Sequence, residues 1–221
     1  PGVTTDKLDK ICYEFIKDHG GYSAPLFYRG FPKSCCTSAN HIICHGIPSN
    51  KYLNEGDILN IDVTAIVNGW HGDTSRMFYV GEVSVKCKNL IATTYESMMK
   101  AISIIKNGIK IGDIGETIQT YVEKKGFSVV RDFCGHGIGK KFHEPPNILH
   151  YGRKKHIIRI RKKVLKIHLE KVPQQLLCTA TPYYILRTKI FLPLPLNAHQ
   201  KILYHLYVHL STMVPKFCGC L

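Results

Sequence analysis

The sequence predicts an α+β fold that combines amphipathic helices with an antiparallel β-hairpin. Residues 60–75 read NIDVTAIVNGWHGDTS, in which the Asn68-Gly69 pair separates two runs rich in β-branched and aromatic residues. That pattern is typical of a hairpin with a two-residue turn. Apolar residues recur at helical spacing in residues 5–20 and 84–106. A chain of 221 residues is long enough to bury these apolar faces in one domain or in two small ones.

The first predicted helix covers residues 5–20. Thr5 or Asp6 can begin it, and Gly20 or Gly21 can end it. One stripe of this helix is apolar and is expected to face a core; it consists of Leu8, Ile11, Cys12, Phe15 and Ile16.

Two more helices are predicted after the hairpin. Residues 84–106 carry a core-facing apolar stripe. A further helix opens at Gly112-Asp113, with Glu116 placed as the carboxylate of a capping box and Gly126 as the stop signal.

Two segments lack a helical period. Residues 22–48 are rich in Gly, Pro, Ser and Cys, which predicts loops with short strands. Residues 127–133 form a short apolar run and predict another strand.

Alternation along the hairpin places two aspartates on one face. With a two-residue turn, Thr64 pairs with Asp73 and Asp62 pairs with Ser75, so these side chains share a face. The two aspartates then lie diagonally across the strand pair, with Cβ atoms roughly 7 Å apart. Carboxylates this close repel unless one is protonated or a cation lies between them. The face is therefore either a divalent-metal site or an acidic surface exposed to water.

Histidines accompany glycine in two later motifs. Residues 134–146 read CGHGIGKKFHEPP, and the glycines allow a sharp turn that can bring His136 close to a partner. The segment lacks the GxGxxG spacing of a dinucleotide loop and the second histidine of a zincin helix. His136 and His143 are therefore interpreted as separate site residues on a rigid turn. His45, in the motif CHGIP, either lies at the rim of a site or is simply solvated.

Charge and glycine divide the chain near residue 153. Residues 1–152 contain 17 Lys and Arg against 15 Asp and Glu, whereas residues 153–221 contain 13 against one, Glu170. Of the 18 glycines, 17 precede residue 153. This break predicts an N-terminal region, residues 1–152, and a distinct basic tail, residues 153–221.

Cysteine usage and hydropathy indicate a reducing, aqueous compartment. The nine cysteines include no C-x-x-C pair, so neither a disulfide framework nor a zinc knuckle is predicted. No apolar run approaches 18 residues, so no membrane span is expected. The sequence therefore favours a cytoplasmic protein with reduced thiols.

Taken together, the motifs IDV, HGDTS, CHGIP and CGHGIGxxFHExP resemble those of the type I methionine aminopeptidases, members of the pita-bread metallopeptidase family. The similarity runs from Pro1 to about Arg153. It implies a pita-bread aminopeptidase fold and a two-metal hydrolase that removes the initiator methionine. Its implied partners are nascent polypeptide N-termini, with ribosome association as a further expectation, and the implied state is a cytoplasmic monomer.

The resemblance implies roles for nine residues of this chain. They are the metal ligands Asp62, Asp73 and His136, the peptide-contacting catalytic histidines His45 and His143, and the methionine-pocket residues Tyr28, Phe31, Cys36 and Phe142. Two carboxylates and an imidazole suit Co, Mn, Fe or Zn better than Mg, and two such ions are expected.

The resemblance ends at about Arg153. Beyond it the family should supply two glutamate ligands, in T-x-E-P and F-E-H-T segments, and neither segment is present. The resemblance therefore implies a fold that is incomplete in its C-terminal half, with reduced metal occupancy and impaired catalysis.

Several interpretations of the basic tail stay open. On a helical wheel, residues 153–171 place apolar side chains opposite basic ones, which is typical of a helix that binds RNA, the ribosome or an anionic membrane surface. The chain would then be a non-catalytic basic binding protein. Translation out of the original reading frame would also remove acidic residues and glycines, and the tail would then be non-native. A partner chain supplying the missing half of the sheet is a third alternative.

Overall fold

The structure is a computed structural model that describes residues 1–152. Within this range the helices and strands are α1 (Thr5–Asp18), β1 (Tyr22–Ser23), β2 (Cys36–Ala39), β3 (Ile58–Val67), β4 (Trp70–Tyr79), α2 (Val85–Ser103), α3 (Ile111–Lys124), β5 (Gly135–Gly137) and β6 (Glu144–Ile148). The predictions made for the basic tail and for its segment 153–171 lie outside the described residues.

Strand β3 is the centre of a four-stranded antiparallel sheet. It pairs with β4 along its whole length, while β1 and β2 share its other edge. Along that edge, β1 sets Tyr22 opposite Ile66 and β2 sets Cys36 opposite Asp62. Because directly opposed residues share a face, β2 brings Cys36 to the face that carries the aspartate.

Helix α1 covers the other face of this sheet. Thr4 caps it, one residue before the predicted start, and its side chain accepts a hydrogen bond from the Lys7 N–H. Apolar residues of α1 and β3 form one buried cluster that includes Leu8, Cys12, Ile16, Ile61, Val63 and Ala65. The predicted apolar stripe of the helix is therefore confirmed, and the sheet presents its aspartate face away from α1.

Helices α2 and α3 pack on each other around a second core. Their buried side chains are Met98, Ala101, Ile114, Ile118 and Val122, joined by Ile148 from β6. The prediction for the start of α3 was wrong in detail. Lys110 is the N-cap, and its N–H donates to Asp113 Oδ2 at 3.0 Å, so Asp113 rather than Glu116 is the capping carboxylate. Gly126 follows the end of α3 in a left-handed conformation, as predicted.

The predicted strand over residues 127–133 was wrong. These residues have no regular secondary structure, and Phe127 and Val129 instead pack against the core of α2 and α3. This packing explains why the segment is apolar although it is not a strand. A strand also needs a neighbour that pairs with its backbone, and no strand within residues 1–152 provides one.

Candidate active site

The β3–β4 hairpin has the register that the sequence predicts. Thr64 lies opposite Asp73 and Asp62 lies opposite Ser75. The turn residues Asn68 and Gly69 both adopt positive φ angles, 51° and 75°, as a tight two-residue turn requires. This turn fixes the pairing of every residue along the hairpin, and so it places the two aspartates on one face.

The aspartate face is buried, which excludes an acidic surface exposed to water. Only 3% of Asp73 is exposed, and Thr64 Oγ1 donates to Asp73 Oδ1 at 2.9 Å. Asp62 is partly buried, and its Oδ1 atom is shielded from solvent without a hydrogen-bond partner. Burial, followed by the nearby Asp73 carboxylate, raises the pKa of Asp62 well above its usual range. Without a cation, burial and the neighbouring carboxylate therefore favour the protonated form of Asp62.

His136 has one ring nitrogen engaged and the other available. Its Nδ1 lies 2.9 Å from the Gly137 carbonyl oxygen. A carbonyl oxygen can only accept, so Nδ1 donates and Nε2 keeps its lone pair in the neutral ring. That tautomer is the one in which Nε2 can ligate a metal. Strands β5 and β6 approach closely at Gly137, where a Cβ atom would collide with the backbone of Glu144 and Pro145.

His143 lies in a group of aromatic rings. Its ring centroid is 4.3 Å from that of His136 and 4.5 Å from that of Phe142, and its Nδ1 is 3.1 Å from Tyr28 Oη. Partial burial, followed by the neighbouring His136, lowers the pKa of His143 to about 4. His143 is therefore neutral near pH 7.

All nine predicted site residues line one cleft of about 820 Å³. They are Tyr28, Phe31, Cys36, His45, Asp62, Asp73, His136, Phe142 and His143. Burial raises the pKa of the Cys36 and Cys44 thiols, the latter to about 11. The cleft thus combines acidic, imidazole, aromatic and neutral thiol groups.

The donor atoms fit a divalent cation in part. A cation would relieve the mutual repulsion of Asp62 and Asp73 and would satisfy the unpartnered Asp62 Oδ1. Within residues 1–152, however, no three His, Cys, Asp or Glu side chains lie close enough together to hold a metal ion. The structure thus brings Asp62 and Asp73 together and sets His136 in the same cleft without a compact three-ligand cluster.

Comparison with known proteins assigns the family. The profile of metallopeptidase family M24 matches residues 1–172. The chain belongs to this family. Methionine aminopeptidase from Rickettsia prowazekii (strain Madrid E) is 59% identical over 153 residues, which are 69% of this chain and 59% of that protein. The α+β pita-bread fold predicted from the resemblance is confirmed by solved structures of this family.

Two of those structures illustrate the match. The crystal structure of methionine aminopeptidase from Rickettsia prowazekii superposes with a TM-score of 0.72 at 56% identity, covering 73% of this chain and 65% of that one. The enzyme from Thermotoga maritima gives a TM-score of 0.71 at 38% identity, covering 73% and 66%. This M24 chain spans about 59% of the length of the Rickettsia relative.

Sequence reasoning missed some residues of the cleft. Phe133 lines it and contacts His45 edge-to-face at a centroid distance of 5.8 Å. Cys44 also lines it, and its position next to His45 in CHGIP was an available signal. The Tyr28–His143 hydrogen bond had no sequence signal, because the two residues are 115 positions apart.

Proposed function

We propose that this M24 chain is a metal-dependent aminopeptidase that removes the N-terminal methionine from nascent proteins and peptides. The observation that carries the proposal is the Asp62–Asp73 pair, in which Asp73 is buried and Asp62 partly buried, beside an aromatic cleft. A buried acid pair of this kind is unfavourable unless a cation or a proton compensates it. The high identity to proteins named methionine aminopeptidases supports methionine as the residue removed.

Asp62 and Asp73 would hold the metal, and His136, which lies in the same cleft outside a compact three-ligand cluster, would join them when the metal binds. The two carboxylates supply hard oxygen donors, and the His136 tautomer supplies a nitrogen lone pair at Nε2. Divalent Co, Mn, Fe or Zn, when bound, would polarise the peptide carbonyl and lower the pKa of a water molecule. Occupancy by two ions would be reduced and catalysis impaired, because residues 153–221 contain neither of the glutamate segments that the resemblance implies, T-x-E-P and F-E-H-T.

His143 and His45 would contact the peptide. Neutral His143 has Nδ1 directed at Tyr28, so Nε2–H can donate to the carbonyl oxygen as negative charge develops there. A donor of this kind is worth on the order of 3 kcal/mol in the transition state. His45 lines the same cleft and would act as a second peptide-contacting group.

The methionine side chain would lie among Tyr28, Phe31, Cys36 and Phe142. The Tyr28 and Phe142 rings are 4.9 Å apart, and burial keeps the Cys36 thiol neutral by raising its pKa. Aromatic rings and uncharged sulfur suit a polarisable thioether better than they suit a charged side chain.

We further propose that the protein acts in the cytoplasm as a monomer on nascent N-termini, with ribosome association. All six cysteines of the described region are free, which supports a reducing compartment. No helix in residues 1–152 combines the length and apolar character that crossing a membrane requires.

The activity can be tested with a Met-Gly peptide and added divalent metal. We expect weak, metal-dependent release of methionine that Asp73→Ala abolishes and a chelator suppresses. Asp18→Asn removes an exposed acid at the end of α1 and should leave the rate unchanged. Turnover that persists in Asp73→Ala, or that ignores the chelator, would contradict the proposal.

A further inference from the structure

We propose that Tyr28 is a positioning residue that holds His143 in the tautomer protonated at Nε2. The inference rests on the proposed function, in which His143 donates a hydrogen bond to the peptide carbonyl. It goes beyond the assignment of Tyr28 to the methionine pocket, because it gives the phenol group a role toward another protein residue. The proposal is based on the distance of 3.1 Å between Tyr28 Oη and His143 Nδ1.

The chemistry of the two groups sets the direction of this hydrogen bond. A phenol is a good donor and a weak acceptor, whereas an unprotonated imidazole nitrogen is a good acceptor. The stronger arrangement therefore has Tyr28 Oη–H donating to His143 Nδ1. In the neutral ring the proton must then sit on Nε2, which leaves a donor for the cleft that His143 lines.

The backbone around Tyr28 is strained in a way that this role explains. Phe27 and Arg29, on either side of Tyr28, both have positive φ angles, 64° and 50°. Residues other than glycine rarely adopt this region, and the conformation persists only where surrounding contacts enforce it. Four backbone hydrogen bonds close the turn, among them Phe27 N–H to the Phe31 carbonyl at 2.8 Å and Tyr28 N–H to the Pro25 carbonyl at 2.9 Å.

The positive φ angles of Phe27 and Arg29 do not bury the side chains of these two residues. Phe27 is 80% exposed, and Arg29 is exposed as well. The residue between them is the one placed against the site: the Tyr28 ring centroid lies 4.9 Å from Phe142 and 5.5 Å from His143. Phe142 also contacts His143 at 4.5 Å, so the three rings restrain one another.

The tautomer can be read directly by nuclear magnetic resonance. The full chain, labelled with ¹⁵N histidine and kept metal-free at pH 8, gives separate signals for the two ring nitrogens of His143, and a His143→Gln variant assigns them. We expect Nε2 protonated and Nδ1 accepting a hydrogen bond in the wild type. Tyr28→Phe keeps the ring and removes the hydroxyl, so the tautomer ratio should shift by about three- to tenfold, the factor that one net hydrogen bond supplies.

Tyr22→Phe is the matched control, because Tyr22 lies on β1 and is 75% exposed. It should leave the His143 signals unchanged. A wild-type ring protonated at Nδ1, or a Tyr28→Phe spectrum identical to that of the wild type, would overturn the proposal. This readout needs no turnover, so it decides the role of Tyr28 even if the proposed activity fails.

Kinetics distinguish positioning from substrate contact in an active preparation. A positioning role predicts that Tyr28→Phe lowers kcat about tenfold and leaves KM nearly unchanged, since the hydrogen bond acts through His143. A raised KM with unchanged kcat would assign the hydroxyl to methionine binding and would overturn the positioning role.

Discussion

Asp62 and Asp73 lie on one face of the hairpin, where two ionised carboxylates would oppose folding. Both groups are withdrawn from water on the same face of the hairpin, and Asp62 has an oxygen without a partner. A fold with no use for a cation would gain stability by replacing one of them. Destabilising groups of this kind are common at functional sites.

Asp62→Asn should stabilise the metal-free protein and abolish stabilisation by metal. The amide cannot ionise, so the unfavourable ionisation of a buried carboxyl beside Asp73 no longer opposes folding. Folding raises the pKa of Asp62. The free energy of unfolding of the wild type therefore falls as the pH rises above about 4, the pKa of an aspartate in the unfolded chain. We expect a higher Tm at pH 8, by about 2 to 4 °C for each kcal/mol gained.

Thermal unfolding of Asp132→Asn is the control for that variant. Asp132 lines the same cleft but is exposed, so its substitution should change Tm little in the absence of metal. A lower Tm in metal-free Asp62→Asn than in the wild type would show that the pair is not repulsive.

His150 should make the fold sensitive to mild acid. It is only 4% exposed, and burial lowers its pKa to about 4. Between the unfolded pKa near 6.5 and this value, the unfolded chain binds a proton that the folded chain does not, so stability falls as the pH drops from about 6.5 to about 4. Over the whole pH range, this one protonation lowers the free energy of unfolding by about 3 kcal/mol.

The check is urea unfolding at pH 7.5 and at pH 4.5 for the wild type and for His150→Gln. The variant should lose part of the difference in unfolding free energy between the two pH values. The exposed His41→Gln variant should keep all of it. An unchanged pH difference in His150→Gln would contradict this assignment.

The sequence predicted the placement of side chains where a local periodic pattern determined it. The pairing of Asp62 with Ser75 follows from strand alternation and a two-residue turn, which are both local. The contact between Tyr28 and His143 depends on a strained turn and on the packing of three rings. No periodic pattern encodes such a contact, so it became visible only in three dimensions.

The β3–β4 hairpin is the element on which the site depends, and its turn is the simplest place to test it. Gly69 has a φ of 75° and would have nothing within 4 Å of an added Cβ atom. Gly69→Ala should therefore cost only the conformational penalty of a left-handed residue, about 1 to 2 kcal/mol. Urea unfolding measures it.

Asn68→Gly is the matched control at the same turn. It introduces a residue that favours the left-handed φ of 51° found there, so the unfolding free energy should change by only a few tenths of a kcal/mol. Equal destabilisation by both substitutions would show that the turn is not the two-residue type that sets the register.

Other elements show where local patterns fail. The apolar stripe of α1 was predicted because its apolar residues recur every three to four positions, and the structure buries that face. Residues 127–133 have the composition of a strand, yet no described strand pairs with them and the segment packs beside α2 and α3. A segment forms a strand only when another segment pairs with its backbone, so composition alone could not show whether residues 127–133 form one.

The basic tail should bind polyanions whatever its origin. Residues 153–221 carry 13 Lys and Arg against one acidic residue, whereas residues 1–152 are nearly balanced. Single-stranded RNA should bind the full chain with an affinity that falls as salt rises, because counterions are released on binding. Replacing the Lys and Arg residues of segment 153–163 by glutamine should flatten that salt dependence.

This measurement also separates the two functional classes. Filter binding over a series of salt concentrations gives the slope, and Met-Gly hydrolysis is assayed on the same preparations. RNA binding lost together with hydrolysis would link the tail to the active site, while RNA binding that ignores salt would contradict the electrostatic interpretation.

The proposed function requires that Asp62 and Asp73 bind a divalent cation. Calorimetric titration of Mn²⁺ into the metal-free full chain tests it most directly. We predict saturable binding that Asp73→Asn and Asp62→Asn each abolish and that Asp18→Asn leaves intact. Equal binding by the wild type and Asp73→Asn, or no binding by the wild type, would contradict the proposed function.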